Sequence, residues 1–149
     1  MNDSENNHEQ MVEKLKTIIS KRAADGAEPV NDSELLKPEF ISFSKDKTLV
    51  LKFPLFPWQR NGQNNIQGGI ISCMMDLAFG VLSYVLTGGA VATVDMTTNY
   101  VKAIGPDEPF ITIEAKFPHI GRRILHGECK AANAADATVA SASTNIIRL

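Results

Sequence analysis

The sequence predicts an α+β domain in which an antiparallel β-sheet wraps one long apolar helix. Three observations predict it. Residues 66–86 form an apolar run of helical length. Beyond residue 90 the apolar period falls from 3.6 to 2, and four strand-like segments follow one another. Only turns separate those segments, and strands joined by turns alone pair antiparallel.

The elements follow in order. Residues 1–8 are polar and read as a frayed tail. Residues 9–24 place Met11, Leu15, Ile18 and Ile19 at helical spacing with charges between them, and Gly26 is expected to close this amphipathic helix. Pro29, Val30, Asn31 and Asp32 read as a loop. Residues 39–44 make a short strand and 45–47 a turn, and residues 48–56 make a second strand that Pro54 and Pro57 weaken at its end. Residues 58–65 form a polar loop, and the apolar helix runs from about 68 to 86 until Thr87, Gly88 and Gly89 break it. Strands are expected at 90–101, 110–118, 123–132 and 138–148, with turns at 105–109, 120–121 and 133–136. The chain divides into an N-terminal tail and helix, residues 1–35, and one domain, residues 36–149. Helix, two strands, buried helix, four strands is the order of the α+β plan called the hotdog.

Composition narrows the function. A chain of 149 residues with 44% apolar and 21% charged residues is an ordinary globular domain. A net charge of −2 gives no field to attract nucleic acid. Two cysteines, Cys73 and Cys129, make neither a disulfide framework nor a four-ligand zinc site, so no metal is expected. The polar start MNDSENNHEQ has no signal-peptide character, and Asp76 inside the apolar run is costly in lipid. A cytoplasmic protein without a membrane span is the expectation.

The informative stretch is Gln67, Gly68 and Gly69, followed by Asp76 nine residues after Gln67. Two glycines at a helix start allow close backbone approach and leave N–H groups unpaired at the positive end of the dipole. Such groups suit a developing oxyanion. Asp76 stands in an apolar helix, where a carboxylate is either a hydrogen-bonded structural residue or a candidate general base or nucleophile. Gly68 and Asp76 lie about 12 Å apart along one helix axis. One reacting carbonyl does not reach both, so a shared site needs two chains, and a two-fold dimer supplies the pairing twice.

The segment IQGGIISCMMD…ATVDMTTNYVKAIGPDE…IGRR resembles the phenylacetate-degradation-type acyl-CoA thioesterases of the hotdog superfamily, over about residues 40–149. That family shows Asn, then His-Gly-Gly, then an acid nine positions after the His. Asn61, Gly68, Gly69 and Asp76 fit this pattern, and Thr93 matches a hydroxyl residue that places the attacking water. Gly121, Arg122 and Arg123 resemble the family's glycine-basic turn near the phosphates of CoA. The resemblance implies hydrolysis of an acyl-CoA in a dimer or dimer of dimers, with no cofactor beyond the substrate's own coenzyme A. Gly68 would polarise the thioester carbonyl, Asp76 of the other subunit would activate water or attack directly, and Asn61 would position substrate or water. Gln67 departs from the family's His. Gln donates and accepts hydrogen bonds but does not titrate near neutrality, which predicts weak activity if the His moves protons. Asn64 stands where many relatives have Gly, so a different loop shape is expected.

Two other classes compete. Gln67 makes a non-catalytic acyl-CoA-binding protein the main alternative. A dehydratase or hydratase would need a His with its acid, and the central helix holds none. Gly69, Met75 and Phe79 are candidate substrate contacts beside Arg122 and Arg123, with Met74 weighed against a core role. Cys73 reads as a small buried hydrophobe, His119 and His126 as strand-edge residues, and Ser72 and Ser83 as partners of nearby backbone. Trp58 is weighed equally as a cap on the pocket and as ordinary packing.

Overall fold

The computed structural model describes residues 3–149. Among the described residues three α-helices and six strands follow in the order α1 (Asp3–Ile19), α2 (Asp32–Leu36), β1 (Glu39–Phe43), β2 (Leu49–Pro54), α3 (Gly68–Thr87), β3 (Val91–Tyr100), β4 (Phe110–Ile120), β5 (Ile124–Asn133) and β6 (Thr138–Arg148). A single 3-10 turn spans Pro57–Gln59. The strands form one antiparallel sheet in the order β1-β2-β4-β5-β6-β3. β1 and β3 are its edges. The helix wrapped by an antiparallel sheet is the hotdog plan expected from the sequence.

The sheet buries one face because its strands alternate. Leu49, Leu51 and Phe53 of β2, Ile111, Ile113 and Ala115 of β4, and Leu125, Cys129 and Ala131 of β5 turn inward. α3 packs across β2 to β6 with Met74, Met75, Ala78, Phe79 and Leu82 fully buried. It is long and apolar enough to cross a membrane by length and composition, yet it is the core helix of this domain. Gly88, in the left-handed conformation at φ 70°, ends it and donates its N–H to Tyr84 O at 2.9 Å.

The N-terminal region differs from expectation. Residues 3–8 are helical rather than frayed, and residues 1–2 of the expected tail lie outside the described residues. α1 stops at Ile19 rather than 24, because the Arg22 guanidinium turns back onto Ile19 O and Pro38 O, each at 2.6 Å. Those bonds satisfy a terminal carbonyl that would otherwise be orphaned. Gly26 belongs to a separate turn beyond the helix, at φ 78°. The expected loop at 29–32 runs into α2, whose N-cap Asn31 accepts from Glu34 N at 3.0 Å while Glu34 accepts from Val30 N at 2.9 Å. Leu15 and Ile19 of α1 are buried, and α1 packs on α3 and β1.

β3 carries a bulge. Thr93 opposes Ile146 and Asp95 opposes Asn145, so Val94 is the extra residue. Thr93, Met96, Thr98 and Tyr100 therefore all oppose the buried β6 residues Ile146, Thr144, Ala142 and Ala140, and all face α3.

Gly127 on β5 sits where the sheet meets α3. A Cβ there would lie 2.9 Å from Phe79, Phe117 and Thr144 side-chain atoms at once. Gly127→Ala is expected to destabilise the fold by about 1–3 kcal/mol through overpacking. Chemical denaturation checks this, and an unchanged midpoint would show that the three side chains yield freely.

Candidate functional site

Gly68, Ser72 and Asp76 recur every four residues and share one face of α3. That face meets the inward residues of β3. Thr93 Oγ1 donates to Asp76 Oδ1 at 2.8 Å. Ser72 Oγ bonds Tyr100 Oη and lies 3.2 Å from Thr98 Oγ1. Tyr100 Oη donates to Gly68 O at 2.8 Å. A polar seam thus runs between an apolar helix and the edge strand. Ser72 joins it instead of bonding nearby backbone, whereas Ser83 does bond its own helix, at Gly80 O, 3.0 Å.

The two ends of the seam open into different cavities. Asp76 and Thr93 line a cavity of about 410 Å³ with Ile18, Leu77, Gly80, Val81, Val91 and Ile146, and with Lys21, Asn31, Asp32 and Ser33 on its polar side. Gly68, Asn61 and Tyr100 line another of about 350 Å³ with Gln63, Asn65 and residues 101–104. One chain therefore separates the carboxylate from the glycine end.

Gln67 is the N-cap of α3, and its side chain makes no capping bond. Its N–H donates to Gln59 O at 2.9 Å, tying the helix start to the 3-10 turn that holds Trp58, which is half exposed. The N–H groups of Gly68 and Gly69 have no acceptor among the described residues. Asn61 Oδ1 accepts from Gln63 N at 2.9 Å and Asn65 N at 3.2 Å, so this carbonyl shapes the loop beside Gly68. Asn64 adopts the left-handed conformation at φ 61°, which Gly and Asn share more readily than other residues.

Met75 and Phe79 are fully buried in the core and line neither cavity, and Gly69 is exposed beside Gly68. Arg122 and Arg123 are exposed in the β4–β5 turn. The cross-sheet row Ile120, Leu125, Ile146, Thr93 puts that turn at the end of the sheet that holds Thr93. His119 pairs with His126 across β4 and β5, and His126 Nδ1 lies 3.2 Å from Asn145 Oδ1, on the face away from α3. The wall contributed by Lys21 and residues 31–33, and the contact of Tyr100 with Gly68, are additions to the residues singled out from sequence. Four-residue spacing on α3 against two-residue spacing on β3 was the available signal for Tyr100.

Both cysteines are free thiols. Burial raises the Cys73 thiol, and the charges of Asp32 and Asp76 raise it further. Burial pushes Cys129 up to about 12. Among the described residues no cluster of His, Cys, Asp and Glu has the makings of a metal centre.

Solved structures share this architecture. A conserved Pseudomonas aeruginosa protein is 24% identical with a TM-score of 0.71, covering 78% of this chain and 92% of that one. A hypothetical thioesterase of Streptococcus pneumoniae, solved with coenzyme A, is 22% identical with a TM-score of 0.69, covering 75% and 85%. The Escherichia coli PaaI protein of the phenylacetic acid degradation operon is 20% identical with a TM-score of 0.72, covering 78% and 83%. At these identities the likeness is one of fold, and the fold is the hotdog. No curated protein sequence matches the chain. The thioesterase superfamily model matches residues 63–140, just over half of the sequence, from the loop before α3 into β6. The chain belongs to the thioesterase superfamily.

With a thiol near 12, only about one Cys129 in ten thousand is thiolate at pH 8. Maleimide is therefore expected to leave Cys129 unlabelled in the folded protein and to label it on denaturation, as peptide mass spectrometry reads out. Rapid labelling of the native protein would contradict this burial.

Proposed function

We propose that the protein is a cytoplasmic acyl-CoA thioesterase that works as a homodimer, or a dimer of dimers, and hydrolyses an acyl-CoA to free acid and CoA. The observation that carries this reading is the Asp76–Thr93 hydrogen bond in a cavity with one apolar and one polar side, set apart from the unpaired glycine N–H groups. The superfamily supplies the reaction class, and the CoA held by the Streptococcus pneumoniae neighbour supports the substrate class. The substrate brings its own CoA, and no further cofactor enters the reaction.

In this reading Asp76 takes a proton from water, and Thr93, bonded to the same carboxylate, orients that water. Hydroxide adds to the thioester carbon. The carbonyl oxygen becomes an oxyanion on the N–H of Gly68 of the partner subunit, and Gly69 lies beside it. Collapse breaks the C–S bond and CoA leaves as the thiol, with the proton returned from Asp76. The exposed edge strand β3, with Val94 at 57% exposure and Val101 just beyond its end at 65%, supports pairing with a second copy. Asn61 positions the glycine end, Gln67 anchors the helix start without titrating, and Arg122 and Arg123 meet CoA phosphate. The acyl group lies against Ile18, Leu77, Val81 and Val91, with Met75 and Phe79 forming the core beneath.

Gln67 favours one second reading, an acyl-CoA-binding protein without turnover. A free-thiol assay over a panel of acyl-CoAs separates the two. The thioesterase reading expects release by wild type and a loss of about 100-fold or more in kcat for Asp76→Ala. Tight acyl-CoA binding without thiol release would establish the second reading instead.

The shared site has its own check. Proline is well tolerated at the first position of a helix but has no N–H. Asp76→Ala and Gly68→Pro chains, each inactive alone, are expected to regain activity when mixed, because the heterodimer holds one intact site. No regain after proven subunit exchange would place both groups in one chain.

A further inference from the structure

The start of α3 is tied at Gln67 N–H but has no side-chain cap. Gln67 gives no side-chain cap, and Gly68 and Gly69 have no side chains to pack. Their N–H groups nevertheless have to point in a fixed direction if they are to polarise a carbonyl. Tyr100, from the end of β3, supplies the restraint. Its hydroxyl donates to Gly68 O at 2.8 Å, and Ser72 Oγ holds the same hydroxyl from the next helical turn. A Cβ on residue 68 would lie 3.0 Å from the Tyr100 ring, so the ring occupies the space that glycine leaves.

Gly68 C=O and Gly69 N–H belong to one trans peptide. A donor on that carbonyl fixes the plane of the peptide and hence the direction of its N–H. It also polarises the peptide, which makes the N–H a stronger donor. Tyr100 is half exposed, at 50%, so its ring contributes less burial than a core aromatic would. Its hydroxyl sits among Gly68 O and Ser72 Oγ, with Thr98 Oγ1 bonded to the latter.

We propose that Tyr100 is a positioning residue, whose hydroxyl orients and polarises the Gly68–Gly69 peptide and thereby sets the Gly69 N–H as a second donor to the thioester oxygen beside the Gly68 N–H. This rests on the thioesterase reading for its role in turnover, while the tether itself is independent of it.

The test compares wild type, Tyr100→Phe, Ser72→Ala and, as a control at the far end of α3, Tyr84→Phe. Tyr100→Phe keeps the ring and removes only the hydroxyl. It is expected to lower kcat about tenfold, the scale of one net hydrogen bond, with KM nearly unchanged and thermal stability close to wild type. Ser72→Ala is expected to show a smaller loss of the same kind, and Tyr84→Phe none. In NMR spectra of Tyr100→Phe the Gly69 amide proton is expected to move upfield. Wild-type kcat in Tyr100→Phe, or a loss of kcat without movement of the Gly69 amide, overturns the proposal. If wild type releases no thiol from any acyl-CoA, the thioesterase reading fails instead, and the Gly69 amide shift alone decides the tether.

Discussion

The structure depends on burying one helix that is not wholly apolar. α3 presents Met74, Met75, Ala78, Phe79 and Leu82 to the concave face of the sheet and leaves none of their surface to water. That burial, with the inward residues of β2, β4, β5 and β6, is the hydrophobic core of the domain. A helix buried on so many sides has few places for polar groups. Before residue 83 it concentrates them at Gly68, Ser72 and Asp76, one stripe that faces the edge strand. Each then finds a hydroxyl on β3, which lowers the cost of holding polar atoms against the core. Packing and chemistry therefore meet at one seam.

The seam lies at a sheet edge, and its position matters. β1 closes the opposite edge, beside α1, while β3 leaves its outer backbone groups unpaired in one chain. Along α3 the carboxylate and the glycine pair are held about 12 Å apart by a rigid rod. Neither side-chain rotation nor loop movement closes that gap. The cavity at Asp76 is also built in part by α1 and α2, which lie outside the matched residues 63–140. Ile18, Lys21 and residues 31–33 thus bring a wall from outside the matched region.

Much of this was legible in the sequence. The four strands after α3 follow from their period of 2, and the end of α3 from Gly88 and Gly89. The first turn of α1 was missed because residues 3–8 carry no apolar period, and its end was misplaced because Arg22, not Gly26, terminates it. α2 is only one turn long, though Asn31 and Glu34 carry a capping signal. The pairing of Asp76 with Thr93 was in reach of motif reasoning. The contact of Tyr100 with Gly68 was not, because it joins residues 32 apart in sequence and depends on strand register.

That register is set by a single residue. In a regular strand, positions 93 and 98 would face opposite sides of the sheet. The bulge at Val94 resets the alternation, so Thr93 and the pair Thr98 and Tyr100 point the same way. The strand thus behaves as two short rulers joined out of phase, one reading Asp76 and the other reading Ser72 and Gly68. Substitutions along β3 can change either ruler, but only a change in residue count can alter the phase between them. The identity of the side chain at 94 matters less to the seam than the fact that a residue is counted there.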